Sequence, residues 1–370
     1  MLMFTEFIQK IKNHYTKNLP FVVYNKPNNP KIAAFLSKNA TQIPVDYTQK
    51  GFVMSAFQDE TLTHFISQEN ADLVEIDLRA SELQLINEAY QVKSKPEEAS
   101  VYQNQIQSVV DYLATSEVQK IVYSRLVEVE SKQSPFQAFE NLLQLYPDAF
   151  TYLWHHPKLG TWLGATPESL LHLQRNQLQT MALAGTQLDT GKENVSWGEK
   201  ELEEQAFVTQ AIVDTLKKYS KTVNQSEVST KKAGKLLHLL TTINASIEVA
   251  NLKYVIDELH PTPAVAGLPK KEAIAYLLAH ENYSRKYYTG FLGEVHISQQ
   301  VSSRKHRKNQ EFQAVQPRIP QTDLYVNLRC MEFTGKAFKL YVGGGITQAS
   351  SAALEWEETQ NKLQTMLNVL

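Results

Sequence analysis

Apolar and polar positions along this 370-residue chain change period several times. Phe4, Phe7, Ile8 and Ile11 recur at helical spacing, with Glu6, Lys10 and Lys12 between them. The first twenty residues therefore read as an amphipathic helix, not a signal peptide. From 20 to 80, short β-like runs (Phe21–Tyr24, Gly51–Met54) mix with short helical ones. A helix is expected over 96–117, followed by a strong strand, Lys120–Glu130. Further strand-like runs are Phe150–Trp154, Thr161–Ala165, Ser169–Leu173 and Leu178–Leu183. Glu199–Tyr219 reads as a helix with Leu202, Ala206, Thr209, Val213 and Leu216 on one face. Lys232–Val249 reads as another. Asp323–Phe333 and Ala337–Val342 alternate around Thr334-Gly335-Lys336, which predicts a hairpin, and Ala352–Leu370 predicts a closing helix. Strands joined by short turns, with helices grouped rather than alternating, argue for an α+β fold over a doubly wound sheet. There is no internal repeat, and no Gly-, Ser- or Pro-rich linker divides the chain, so a single domain over 1–370 is expected.

One turn stands out. Leu259 to Pro269 carries three prolines and a glycine, which exclude a helix interior and a central strand. Such a rigid corner either joins two elements or holds a small side chain against a ligand. Composition narrows the partners. Charged residues are 21% and the formal net charge is −2, so nothing demands nucleic acid or a membrane. The segment His296–Gln321 is basic at Arg304-Lys305-His306-Arg307-Lys308, but it lacks interleaved aromatics and reads as a solvated loop. The single cysteine, Cys330, excludes an internal disulfide framework and fits a reducing compartment. No apolar stretch approaches membrane-spanning length, and a soluble cytoplasmic protein is expected.

Familiar nucleotide, zinc-protease and hydrolase signatures are absent. Gly343-Gly344-Gly345 follows strand-like residues and suits either close packing or an anion. His155-His156 lacks a third ligand at metal spacing. Carboxylates are more suggestive. Glu355, Glu358 and Lys362 share a face of the closing helix, and Lys200 and Glu204 share one in the earlier helix. They are either solvated i,i+4 pairs or, if the helices meet, an oxygen-only site suited to Mg²⁺. Lys120 opens an apolar strand, where lost hydration favours the neutral amine. It reads as a base or as an edge-strand guard. Glu168 sits in a turn entering a strand, as a solvated capping group or a partly buried general acid.

Taken in order, these segments resemble the chorismate-utilising enzymes. The matches are Lys120-Ile-Val-Tyr-Ser-Arg125, Gly164-Ala-Thr-Pro-Glu168, Ala182-Leu-Ala-Gly-Thr186, Lys200-Glu-Leu-Glu-Glu204, Leu237-His238-Leu239 and Leu259-His-Pro-Thr-Pro-Ala264. Tyr288-Thr-Gly290, Leu328-Arg329-Cys330, Gly343-Gly-Gly-Ile346 and Glu355-Trp-Glu-Glu-Thr-Gln-Asn-Lys362 follow. Gly51–Phe57 looks like an earlier family strand. The resemblance implies two packed antiparallel sheets, helices outside, and a cleft within a motif-bearing part at 101–370. It also implies roles. Glu204 and Glu358, with Glu355 beside them, would hold Mg²⁺ on the ring carboxylate. Lys120 would activate water for attack at C2, and Glu168 would protonate the departing C4 hydroxyl. Arg329, Lys362 and the backbone of Gly343, Gly344 and Gly345 would grip the side-chain carboxylate. Gly185, Thr186, His238, Ala264 and Tyr288 would line the pocket, with Lys200 tuning the metal carboxylate or the acid.

The chain departs from the family pattern at Gln205, Val342–Gly345, Ala352-Ala353 and Ala245, none of which removes a role-bearing group. Lysine at 120 points to water as nucleophile, where the ammonia-using members typically have glutamine. Isochorismate synthase activity is therefore expected, without a glutamine-amidotransferase subunit, feeding menaquinone or catechol siderophore synthesis. The alternative is a salicylate synthase, which also eliminates pyruvate. Lyase-competent members typically carry threonine at the position of Ala264, whereas Tyr288 leans modestly toward them. A non-catalytic chorismate sensor would have lost Lys120, Glu168, Glu204 or Glu358, and all four are present. The family permits a monomer or a weak homodimer.

Overall fold

Strands buried on both faces set the architecture. In the strand Phe21–Asn25 every residue is buried. Phe21 and Val23 join one apolar cluster, while Val22 and Tyr24 join another on the opposite face. A sheet built this way must be covered twice, and it is. The computed structural model describes residues 3–78, 83, 96–191, 195–233, 236–300 and 318–370. The basic run Arg304–Lys308 lies outside the described residues.

Among the described residues, two nine-stranded sheets face each other. In spatial order the first comprises Gly267–Leu268, Lys120–Glu130, Ala337–Ile346, Cys330–Phe333, Gly160–Thr166, Phe150–His156, Phe21–Asn25, Lys31–Ser37 and Ala71–Asp77. The second runs Val223–Gln225, Leu236–Ser246, Gln177–Leu188, Ser169–Gln174, Arg318–Val326, Phe291–Gln300, Gly51–Ser55 and His64–Ser67, with Ser229–Ala233 also paired to Leu236–Ser246. Described neighbours pair antiparallel, as in Lys120–Glu130 with Ala337–Ile346 and Gln177–Leu188 with Leu236–Ser246. Aromatic side chains fill the space between the sheets, among them Tyr24, Phe52, Trp154, Trp162 and Tyr341. Helices Phe4–Thr16, Pro135–Leu145 and Ala352–Leu367 cover the outer face of the first sheet. Helices Glu199–Lys217 and Leu252–Leu259 cover the second. Helices Pro96–Thr115 and Lys270–His280 close the end where Lys120 begins its strand. The expected α+β class and paired antiparallel sheets are what the structure shows.

Four expectations are corrected. Lys232–Val249 is not a helix: Ser229–Ala233 and Leu236–Ser246 are strands. The run Leu236–Leu240 suits a buried helix or a strand equally, and pairing on both edges decides for the strand. Beyond it, burial alternates at Thr241, Ile243 and Ala245. Asp323–Phe333 is not one strand, because the chain leaves the second sheet at Val326 and enters the first at Cys330. On helix Glu199–Lys217, Leu202 is 47% exposed, and the buried stripe runs through Gln205, Val208, Ile212 and Leu216. Gly343–Gly345 lies within strand Ala337–Ile346, not after it.

Candidate active site

The first wall of the cleft comes from two neighbouring strands. Lys120 is the first residue of its strand, and its side chain is 1% exposed. Its Nζ donates to Glu204 Oε1 at 2.7 Å. Glu204 lies early in helix Glu199–Lys217 and reaches across to the first sheet. Gly343, Gly344 and Gly345 pair with Ser124, Tyr123 and Val122 beside it. A methyl group on Gly345 would stand 2.7 Å from Glu204 Oε1 and 2.9 Å from Lys120 Cε. One on Gly344 would meet Glu355 Oε2 at 3.1 Å and Glu358 Oε1 at 3.6 Å. The missing side chains thus admit three carboxylates, from two helices, against one strand. Glu358 is ion-paired with Lys362, which also donates to Gly343 O at 3.0 Å. The predicted i,i+4 relation is therefore real, but it faces the cleft rather than solvent.

The floor is made where the chain crosses between sheets. Gly160–Thr166 ends in the first sheet and Ser169–Gln174 begins in the second, leaving Pro167-Glu168 to bridge them. Close by, Asn327-Leu328-Arg329 makes the return crossing. The crossings are sewn together: Thr166 Oγ1 donates to Val326 O at 2.6 Å, and Val326 N–H to Glu168 O at 3.0 Å. Ala165 N–H donates to Arg329 O, also at 3.0 Å. Arg329 adopts a left-handed backbone (φ 46°), which non-glycine residues enter at some strain. Glu168 is 4% exposed. Burial pushes its carboxyl up to about 7, and the facing Lys231, Lys120, Arg329 and Lys362 only partly oppose this. Glu168 is therefore a buried acid, not a solvated cap.

The opposite wall belongs to the second sheet. Strand Gln177–Leu188 bulges between Ala184 and Gln187, and the bulge presents Gly185 (φ 66°) and Thr186 to the cleft. His238 Nδ1 lies 3.0 Å from Gly185 O. A carbonyl only accepts, so Nδ1 carries the proton and Nε2 keeps its lone pair. Burial, with Arg329 and Lys362 nearby, lowers this imidazole to about 3 and keeps it neutral. The proline turn forms the rim, with Ala264 and Val265 lining the cleft. Arg285 ties it to the first wall by donating to Val265 O at 3.0 Å and Val122 O at 2.5 Å, while pairing with Glu281 at 2.6 Å. Tyr288 stacks on Tyr341, with centroids 5.6 Å apart.

The structure thus brings together all but one of the residues singled out from sequence; the Lys200 side chain lies outside the described residues. Gln205 is turned away from the cleft, donating to Ala182 O at 3.1 Å and Thr241 Oγ1 at 3.0 Å, so it pins the helix to the sheet. Sequence reasoning missed Lys231, Glu201, Tyr341 and Arg285. The mistaken helix at 232–249 hid Lys231's strand; no spacing signal marks the other three. A hard cation such as Mg²⁺ prefers oxygen donors, and Glu204, Glu355 and Glu358 offer three carboxylates. Among the described residues no three such ligands close on one point, and Glu204 and Glu358 are each engaged by a lysine. The donor chemistry fits the ion.

Residues 41–302 match the family model described as chorismate binding enzyme, and residues 318–368 match a second so described. The isochorismate synthase MenF of Escherichia coli K12 is 26% identical over 271 residues, covering 70% of this chain and 58% of that protein. The isochorismate synthase EntC of the same strain is 28% identical over 286 residues, covering 74% of this chain and 67% of that one. The alignment with MenF thus spans little more than half of that relative's length. Among solved structures, that of E. coli MenF, described as menaquinone-specific, covers 94% of this chain and 88% of its own at a TM-score of 0.73 and 20% identity. Anthranilate synthase component I of Streptococcus pneumoniae superposes at a TM-score of 0.65 and 15% identity, covering 95% of this chain and 90% of its own. Those two likenesses show a fold shared across different reactions. The family match extends over most of the chain and takes in both walls of the cleft: the chain belongs to the chorismate-binding enzymes.

Proposed function

We propose that this protein is an isochorismate synthase. The observation that carries the reading is a lysine and a protonatable carboxyl buried in one cleft, Lys120 at the start of a first-sheet strand and Glu168 in the crossing between the two sheets. Isomerisation of chorismate needs that pair. Water forms a bond to C2 as its proton passes to a base. The C4–O bond breaks as an acid protonates the departing hydroxyl, and the ring double bonds shift. Water is consumed at C2 and released from C4, so product and substrate are isomers. Glu168, pushed up to about 7, keeps a large protonated fraction at neutral pH, where an ordinary carboxylate has almost none. To act as base, Lys120 must first give up a proton, since an ammonium has no lone pair; the neutral amine still has an N–H for Glu204. Arg329 and Lys362 offer cationic donors to the substrate's side-chain carboxylate. His238 Nε2 offers an acceptor to a ring hydroxyl, and Tyr288 a flat apolar wall.

Glu204, Glu355 and Glu358 would hold Mg²⁺. The ion would offset the ring carboxylate's charge and orient the ring between base and acid. MenF and EntC carry the name of this activity, which supports the assignment. The test is purified protein with chorismate and Mg²⁺, read by chromatography and a coupled pyruvate assay. Isochorismate without pyruvate is expected, and omission of Mg²⁺ should stop turnover. Salicylate and pyruvate at matching rates would reassign the protein as a salicylate synthase. No consumption of chorismate would overturn the reading. Ala264→Thr probes the rim, because the residue supplies only a methyl group there. A gain in pyruvate release would place the lyase distinction at the proline turn.

A further inference from the structure

We propose that Lys231 is a positioning residue for the acid, acting through a hydrogen bond that pins the Pro167–Glu168 crossing and through its charge beside the Glu168 carboxyl. The proposal deepens the reading of Glu168 given above and rests on it.

The placement comes from strand register. Lys231 pairs directly with His238 across Ser229–Ala233 and Leu236–Ser246, so both side chains leave the sheet on one face. His238 lines the cleft on that face. Lys231 Nζ reaches the crossing and donates to Pro167 O at 2.9 Å, the carbonyl immediately before Glu168. Its other described hydrogen-bond contact is Met181 Sδ at 3.9 Å. The other cations facing Glu168 are differently occupied. Lys120 is held by Glu204, and Lys362 by Glu358 and Gly343 O. Arg329 belongs to the return crossing and lines the cleft itself. His238 is neutral. Among the described residues Lys231 has no carboxylate within ion-pair distance, so its charge is not cancelled locally. It is also the strongest of the four cations opposing the effect of burial on Glu168. Burial in turn lowers the proton affinity of Lys231, and Glu168 raises it, so the two groups are coupled.

The site therefore has a tuned acid. Without Lys231, burial would hold the Glu168 proton more tightly and make it a poorer donor to a leaving hydroxyl. The bond to Pro167 O also fixes where that carboxyl points, because the crossing is only two residues long.

Three variants separate charge from anchoring: Lys231→Met removes both, Lys231→Gln keeps a donor without charge, and Lys231→Arg keeps both. Glu168 is titrated directly by carboxyl ¹³C NMR of the full-length protein, its signal assigned by its absence in Glu168→Gln. In both uncharged variants the titration should move up by about one pH unit. Lys231→Arg should restore it. The high-pH limb of kcat/KM for chorismate should move in parallel, and kcat should fall about tenfold in Lys231→Met and less in Lys231→Gln. An unmoved Glu168 titration in Lys231→Gln, or a failure of Lys231→Arg to restore it, overturns the proposal. Because NMR needs no turnover, a shifted titration in a protein inert toward chorismate would sink the functional reading and leave the Lys231–Glu168 coupling standing.

Discussion

Glu168 and Asp323 are both buried between the same two sheets, yet their carboxyls are driven in opposite directions. Burial raises both. At Asp323 it is outweighed: His172 Nδ1 lies 2.5 Å away, Lys26 Nζ 2.5 Å and Gln321 Nε2 2.7 Å, and the carboxyl is held down at about 2. Lys26 also pairs with Glu294, which accepts from Tyr24. At Glu168 burial prevails and the carboxyl rises to about 7, although four cations face it. The difference is geometric. Hydrogen bonds and ion pairs at contact distance stabilise a carboxylate strongly, whereas charges turned toward other partners do so weakly. One region spends its charges on holding the sheets together; the other keeps a proton available.

The largest effects that test this contrast are kinetic. Lys120→Ala and Glu168→Gln should each lower turnover of chorismate by at least about a hundredfold with circular dichroism unchanged. Near-normal rates in either variant would erase the distinction. Asp323→Asn should do the reverse. It removes one of the two carboxylates on Lys26 and the partner of His172, so urea unfolding should show a loss of about 3 kcal/mol while the folded fraction keeps its kcat. An effect of opposite sign is expected from Glu168→Gln on stability. The folded protein binds the Glu168 proton more tightly than the unfolded chain, so ionisation destabilises it progressively from pH 4.5 to about 7. The variant should therefore be more stable than the parent by about 3 kcal/mol at pH 8, and the advantage should vanish at pH 4.5. Asp323 has the opposite sign: its depressed carboxyl contributes above about pH 4, and the contribution is lost as pH falls toward 2. Finally, kcat/KM should decline as pH rises past about 7, approaching tenfold per unit, because the acid must be protonated. A flat profile from pH 6 to 9 would contradict the role given to Glu168.

Much of this was legible in the chain. Helix Phe4–Thr16 and strand Lys120–Glu130 follow directly from apolar period, and Glu358 meets Lys362 as i,i+4 spacing requires. Lys120 and Glu204 are 84 residues apart, and no local pattern joins them. Only ordered resemblance placed them at one site. The run Leu236–Leu240 misled because a continuous apolar stretch carries no period, and the error concealed Lys231. Arg329 sat inside an apparently continuous strand because alternation cannot show that a chain changes sheets at Val326. The cluster of Lys26, His172, Glu294 and Asp323 gave no signal at all, since its members come from four separate strands or their ends.

The sequence by itself determined which chemical groups exist and most of the elements that carry them. It specified a lysine opening an apolar strand, a turn carboxyl, three carboxylates on two helices and a rigid proline corner. Tertiary structure alone decided their states. Whether a carboxyl keeps its proton depends on lost hydration and on the distance to each cation, and both are set by side chains that meet only after two sheets have closed. Glu168 and Asp323 have the same functional group, and only the folded surroundings make one an acid and the other a brace.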